Sequence, residues 1–424
     1  SSWAPRRRRH GCLFAKERFI SYKILQQTMT IEIHGAGFRN KGAELMLRTA
    51  IAEIRKRLPE AEFAIDPTVG SYTKRAKLGL RQIVPPRWWM GSRRFRFGLM
   101  AQRALSPILT SAPFRRFTDM YGGTAISEID ALVDVSGFAF TDQWGTDPIR
   151  DFARLSQTYK KNKKPVLMLP QGFGPFDKPE SEEAMSDLIS VVDQAYARDD
   201  ISLRHVRSVA PEPQSVKKAP DITLFYPKII KSIRHAENAS YSCIIPNVRM
   251  LDQGKDEWGD RYEDILRCVG NLLHSSGERV YFLIHDISGK DEAIARRVGS
   301  AMKSTPEIVQ KEDPIALKNF VAESRLVVTS RYHGAVASFS KAVPSVCLGW
   351  AHKYEMLYRD FGCPSHMIYP DTTIDDIKEK LRLLVDSSTN NQARRNIFKA
   401  LTEMSNDNAL MWNEVTNRLM EMDS

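Results

Sequence analysis

The stretch Val327–Leu357, VVTSRYHGAVASFSKAVPSVCLGWAHKYEML, decides the fold. With Leu326 it opens as a short apolar run, Leu326-Val327-Val328-Thr329, the pattern of a strand buried in a parallel sheet. Ser330 stands where a helix N-cap is expected, and small residues at helical spacing run from Gly334 to Lys341. After Pro344 comes a second apolar run, Ser345-Val346-Cys347-Leu348. Strand, turn, helix, strand is the unit of an open α/β sheet. Such sheets bind ligands beyond the carboxyl ends of their strands, where helix N-termini present free N–H groups to anions. Arg331 and His333 lie in that turn, and a guanidinium beside an imidazole suits a phosphate or carboxylate. The local pattern fits a surface arginine and a packed histidine equally well.

Length and composition frame this unit. A chain of 424 residues should hold about two domains, each with its own core. No apolar run is long enough to cross a bilayer. The five cysteines (Cys12, Cys243, Cys268, Cys347, Cys363) are widely spaced and form no CxxC pair. This argues against disulfide staples and a structural zinc site, and for a reducing, cytoplasmic setting. Of the net charge of +11, residues 1–28 carry +6. Charged residues interrupt any signal-peptide core there, so 1–28 reads as a disordered or artefactual leader, with Met29 just before the first convincing strand.

From Thr30 the α/β rhythm is plain. Thr30-Ile31-Glu32-Ile33 alternates as a strand, His34 to Gly42 is a glycine-rich turn, and Leu45, Leu47, Ile51 and Ile54 mark a helix. The turn has neither GxGxxG spacing nor a following GK[ST], so no dinucleotide or P-loop reading applies. Residues 71–120 break the rhythm with eleven Lys/Arg against Asp119, interleaved with Trp88, Trp89, Phe95 and Phe97. This segment reads as a basic insertion whose aromatics dock on the domain, or as a peripheral contact with an anionic membrane. Three further strands end at Ser136-Gly137 (with Asp142 beyond), at Pro170-Gln171-Gly172-Phe173-Gly174, and at Arg198, where Ser202 could open a helix. Ala219-Pro220-Asp221 closes the half. Domain boundaries are expected at 29–235 for the first Rossmann-like domain, 240–373 for the second and 374–424 for terminal helices. His285-Asp286 ends a strand of the second domain, where it could touch substrate; without a third ligand it is no metal site, and His285 reads as a surface residue.

Taken together, Gly35 to Gly42 (G-x-G-x-x-N-x-G), PQGFGPF, ARDDIS, APDITLF and TSRYHGAVASFSKAVPSV…K resemble the polysaccharide pyruvyl transferases over about residues 30–360. The resemblance implies a GT-B-like protein, two Rossmann-like domains facing across a cleft. It implies transfer of pyruvate from phosphoenolpyruvate (PEP) onto sugar hydroxyls of a polysaccharide or its lipid-linked precursor, as a ketal. The sequence departs from the family at Ala43, where Asp is usual, at Val135-Ser136-Gly137, which replaces a glycine triplet, and at Tyr332 and Gly334 in place of Leu and Ala.

The implied roles follow the motifs. His333 is the acid or base, with Asp221 or Asp142 to accept a hydroxyl proton, a choice the sequence leaves open. Arg198 and Arg331 bind PEP, and Tyr332, Gly35, Asn40, Gln171, Gly172 and Gly174 complete the expected substrate-binding set. No metal, no further cofactor and no nucleic-acid partner are expected, and the implied place of work is the inner membrane face. The rival reading is a GT-B glycosyltransferase using a nucleotide sugar. It needs a ribose-binding carboxylate late in the second domain, where Glu355, directly after Lys353-Tyr354, is a poor candidate.

Overall fold

A computed structural model of the chain describes residues 28–84, 111–210, 213–226, 235–239, 241–259 and 261–421. The expected leader, apart from residue 28, lies outside the described residues, and so does the aromatic part of the basic segment, 85–110. The chain builds two fully parallel sheets. The first contains Thr30–His34 (β1), Glu62–Ile65 (β2), Leu80–Val84 (β3), Gly123–Ala125 (β4), Ala131–Asp134 (β5), Val166–Gln171 (β6), Gln194–Ala197 (β7) and Val216–Lys218 (β8). Its spatial order is β4-β3-β2-β1-β5-β6-β7-β8. The second contains Tyr241–Ile245 (β9), Val280–Ile284 (β10), Glu307–Gln310 (β11), Ser324–Thr329 (β12), Ser345–Leu348 (β13) and Met367–Ile368 (β14), in the order β11-β10-β9-β12-β13-β14.

Strand order reverses direction once in each sheet, between β1 and β5 and between β9 and β12. Connections leave to opposite faces there, which opens a crevice at the carboxyl ends of the two strands. Apolar alternation fixes the faces. Ile31 and Ile33 of β1 join Met46, Leu47 and Ile51 of the helix Lys41–Arg57 in one core layer, while Leu132, Phe152, Met168 and Leu188 fill the other. The second sheet packs around Phe282, Val328, Leu348 and Tyr358.

The last helix, Ser387–Met420, holds the halves together. Its 34 residues give a length of about 50 Å. Ile397 and Leu401 are buried against the second sheet, whereas Met411, Trp412, Val415 and Leu419 enter the core of the first. This helix thus enters both cores. No helix among the described residues is long and apolar enough to cross a membrane.

The stretch 71–120 is only partly an insertion. Leu80–Val84 is a sheet strand, Arg81 pairs with Glu62 and Asp119, and buried Arg75 donates to the carbonyls of Val69 and Gly70 and to Gln82. Part of the positive charge there is therefore structural. Ser330 is not the N-cap of its helix, which runs Tyr332–Phe339 after Arg331. Asp199 rather than Ser202 starts the helix Asp200–Val209, its carboxylate accepting from the Ser202 amide.

Trp412 is fully buried in a core that its own helix enters from the far sheet. Trp412→Ala should lower unfolding free energy by about 3–5 kcal/mol in a denaturant titration. A loss below about 1 kcal/mol would show that the terminal helix does not hold the first domain.

Candidate active site

The two sheets meet at the carboxyl ends of their strands. Asn40, which caps the helix Lys41–Arg57, forms an isolated antiparallel bridge with Asp286, and the Lys41 amide donates to the His285 carbonyl at 3.2 Å. Arg48 pairs with Asp313 at 3.0 Å. Buried Lys318 donates from the second domain to the Thr223 and Tyr226 carbonyls at 2.6 and 2.8 Å, fixing the turn that follows Asp221. Gly42 lies so close to the His333 ring that a Cβ there would stand 2.2 Å from Cγ, so the helix start and the imidazole meet only because residue 42 has no side chain.

Inside this contact lies a buried ionic cluster drawn from both halves. Arg198, just beyond β7, has its guanidinium 3.9 Å above the Tyr332 ring and 3.7 Å from Asp221 Oδ2. His333 Nε2 is 3.8 Å from the same oxygen. Asp221 Oδ1 accepts from the Thr223 amide and hydroxyl, which turns Oδ2 toward Arg198 and His333. Lys353 joins from the second domain, its ammonium 3.3 Å from the centre of the Phe138 ring. Among the described residues, Arg198 Nε and Nη2, Asp221 Oδ2 and His333 Nε2 have no hydrogen-bond partner. Each such buried group costs about 1–3 kcal/mol if left unsatisfied. So much unfilled hydrogen-bonding capacity around net positive charge is the chemistry of an anion site.

Burial lowers the His333 imidazole below its ordinary range; Asp221 opposes this, while Arg198, Lys353 and Lys318 add to the lowering. Burial and then Arg198 hold the Lys353 ammonium well below its usual range against the pull of Asp199. The imidazole of His333 is thus poised to take up a proton when an anion arrives.

The expected site residues divide. Arg198, Asp221, Tyr332 and His333 come together, with Tyr332 as the aromatic floor under Arg198. Gly172 lies against them, since a Cβ there would be 2.9 Å from Arg198 Nη2. Gly174 instead touches His205. Asn40 caps its helix, its side chain accepting from the Gly42 amide. Gly35 and Gln171 surround Asp134. Asp142 accepts from the Asp177 amide at 2.7 Å, and no contact among the described residues joins it to the cluster. Arg331 directs Nε and Nη2 to Asp291 at 2.7 and 2.6 Å, with Asp286 at 3.7 Å.

Lys353, Lys318 and Phe138 escaped the sequence reading of the site, although Lys353 ends the last motif of the resemblance. His285 is no surface residue: it is 2% exposed, and neither ring nitrogen has a partner among the described residues. Burial, then Arg331, His333 and Lys41, push its pKa well down.

Because Arg331 neutralises fully buried Asp291, Arg331→Ala should destabilise the fold by about 3–5 kcal/mol, with Arg331→Met/Asp291→Leu recovering part of the loss. Arg198→Ala should cost far less stability. Equal melting curves for Arg331→Ala and wild type would contradict this division of roles.

Residues 40–352 match the family model for polysaccharide pyruvyl transferase. Over 270 residues the chain is 23% identical to the amylovoran biosynthesis protein AmsJ of Erwinia amylovora, covering 59% of this chain and 62% of that relative. Among solved structures it is similar to S. aureus MnaA in a UDP co-structure (TM-score 0.55, 10% identity, 88% of this chain and 91% of that one). It is equally similar to UDP-GlcNAc 2-epimerase from Neisseria meningitidis bound to UDP-GlcNAc (TM-score 0.55, 10% identity, 93% and 100%). At such identity these likenesses concern the fold, the two-sheet GT-B arrangement. The match from Asn40 to His352 takes in Arg198, Asp221 and His333 and falls one residue short of Lys353, and it shows that the chain belongs to the polysaccharide pyruvyl transferase family.

Proposed function

We propose that the chain transfers pyruvate from PEP to two hydroxyls of a saccharide acceptor, a polysaccharide or its lipid-linked precursor, leaving a ketal and inorganic phosphate. The observation that carries this reading is the buried set of unpaired donors on Arg198 and His333 beside Lys353. PEP carries close to three negative charges, and Arg198 and Lys353 offer a planar fork and a point charge for its phosphate and carboxylate. The amino end of the helix Tyr332–Phe339 adds positive potential.

The balance of the reaction defines the roles. The PEP methylene carbon gains a proton and becomes the methyl group, while C2 takes on oxocarbenium character. One acceptor hydroxyl adds to C2 and loses its proton; the C2–O bond to phosphate breaks; a second hydroxyl adds and loses its proton. One hydroxyl proton thus replaces the proton given to the methyl, and the other leaves on phosphate. His333, protonated once the anion is bound, is placed to give a proton to carbon or to phosphate. Asp221 Oδ2 faces both His333 and Arg198 and stabilises the positive charge developing at C2. Positive charge comes from side chains in this scheme, so activity should survive EDTA; complete loss restored by a divalent ion would overturn it.

The first test is acceptor-dependent phosphate release from PEP, with nucleotide release from UDP-sugars as the outcome that would favour a glycosyltransferase. Arg198→Ala should weaken PEP binding at least about 10-fold while acceptor affinity holds, a loss of one charge-assisted contact. Calorimetry in buffers of different ionisation enthalpy adds a signed prediction. Since burial lowers the His333 imidazole and a bound anion raises it, PEP binding near pH 7.5 should take up protons, and His333→Gln should reduce the uptake. Proton release, or uptake unchanged in the variant, would contradict the role of His333.

A further inference from the structure

The first sheet has its own crevice, where strand order reverses between β1 and β5. The last residues of these strands, His34 and Asp134, are register partners, and their side chains meet: His34 Nδ1 is 2.9 Å from Asp134 Oδ1. Asp134 is fully buried and held by three more donors, the Ser136 hydroxyl (2.5 Å) and amide (3.2 Å) and Gln171 Nε2 (3.1 Å). His34 is different: its side chain is one-third exposed at 33%, its ring stacks on Phe152 at 4.7 Å, and Nε2 has no protein partner among the described residues. Gly35, with φ at 74°, turns the chain away immediately, and a Cβ there would overlap Ser136 Oγ at 2.0 Å.

From this arrangement we infer that His34 and Asp134 form the acceptor's base, in a saccharide subsite at the β1/β5 crevice. The inference rests on the pyruvyl-transfer reading. Asp134 accepts the Nδ1 proton and so leaves the Nε2 lone pair outward, the tautomer a proton acceptor needs. Gln171 Oε1, buried and unpartnered among the described residues, is a second acceptor in the same network, suited to a sugar hydroxyl.

The crevice adjoins the anion cluster along the chain at two points. Gln171 precedes Gly172, which lies against Arg198, and the loop that starts at His34 ends at Gly42 on the His333 ring. In the step assigned to it, an acceptor hydroxyl oxygen bonds to C2 of the pyruvyl unit as its O–H bond breaks and the proton passes to His34 Nε2. His333 supplies the proton that the methylene carbon gains. Asp134 is a positioning residue, and the two imidazoles divide the work, His34 on the acceptor and His333 on the donor.

The test uses the full chain with PEP and an oligosaccharide bearing vicinal or 4,6-placed hydroxyls, comparing wild type, His34→Ala, Asp134→Asn and His333→Ala. The expected result is a fall of at least about 100-fold in kcat for acceptor-dependent phosphate release in His34→Ala, with PEP affinity and melting temperature unchanged. Asp134→Asn, which keeps the shape of the network, should also lose kcat without losing PEP affinity, whereas His333→Ala should lose both. A His34→Ala enzyme within about 10-fold of wild type, or one whose PEP affinity falls with its rate, would overturn the base. If wild type itself neither binds PEP nor releases phosphate, the pyruvyl-transfer reading fails and takes the base with it; wild-type activity retained by His34→Ala removes the base alone.

Discussion

Asp221 lies 3.7 Å from Arg198 of its own domain and 3.8 Å from His333 of the other, with both Asp221 and Arg198 buried. Closing two sheets over charges is expensive, and neither contact is short enough to be a full hydrogen bond. The fold tolerates this because the surroundings over-determine it. Lys318 ties the turn after Asp221 to the second domain, Asn40 and Lys41 bridge to Asp286 and His285, and the terminal helix enters both cores. What remains unsatisfied among the described residues is Arg198 Nε and Nη2, Asp221 Oδ2 and His333 Nε2.

The same closure explains the small residues. Gly42 and Gly172 are needed because the His333 ring and the Arg198 guanidinium occupy the space of a side chain. Arg331 follows the opposite logic. It is satisfied by Asp291, so it shapes the crevice of the second sheet and sets the potential around His285 rather than offering a free fork. Two neighbouring basic residues, Arg331 and His333, therefore differ in kind: one is a finished ion pair, the other an unfinished one.

Much of this was legible in the sequence where the physics is local. Leu326 to Leu348 reads as strand, turn, helix and strand because β-branched runs and helical spacing act over a few residues, and the glycine turns mark strand ends for the same reason. β3 was hidden because Arg81 makes a strand look like a solvated basic run until Glu62 and Asp119 are seen beside it. His285 reads as a surface residue and Lys318 and Lys353 draw no site reading, because their burial depends on contacts with residues far away in the chain, such as Lys318 with Thr223 and Lys353 with Phe138. His34 and Asp134 are 100 residues apart and are joined by β1 pairing with β5, a register no local pattern announces.

A crystal structure of the protein soaked or grown with PEP tests the central claim most directly. The account predicts PEP between the sheets, its phosphate and carboxylate oxygens within hydrogen-bond distance of Arg198 and Lys353 and its methylene carbon facing His333. PEP bound at any other place, with Arg198 Nε and Nη2 still unpartnered, would contradict it.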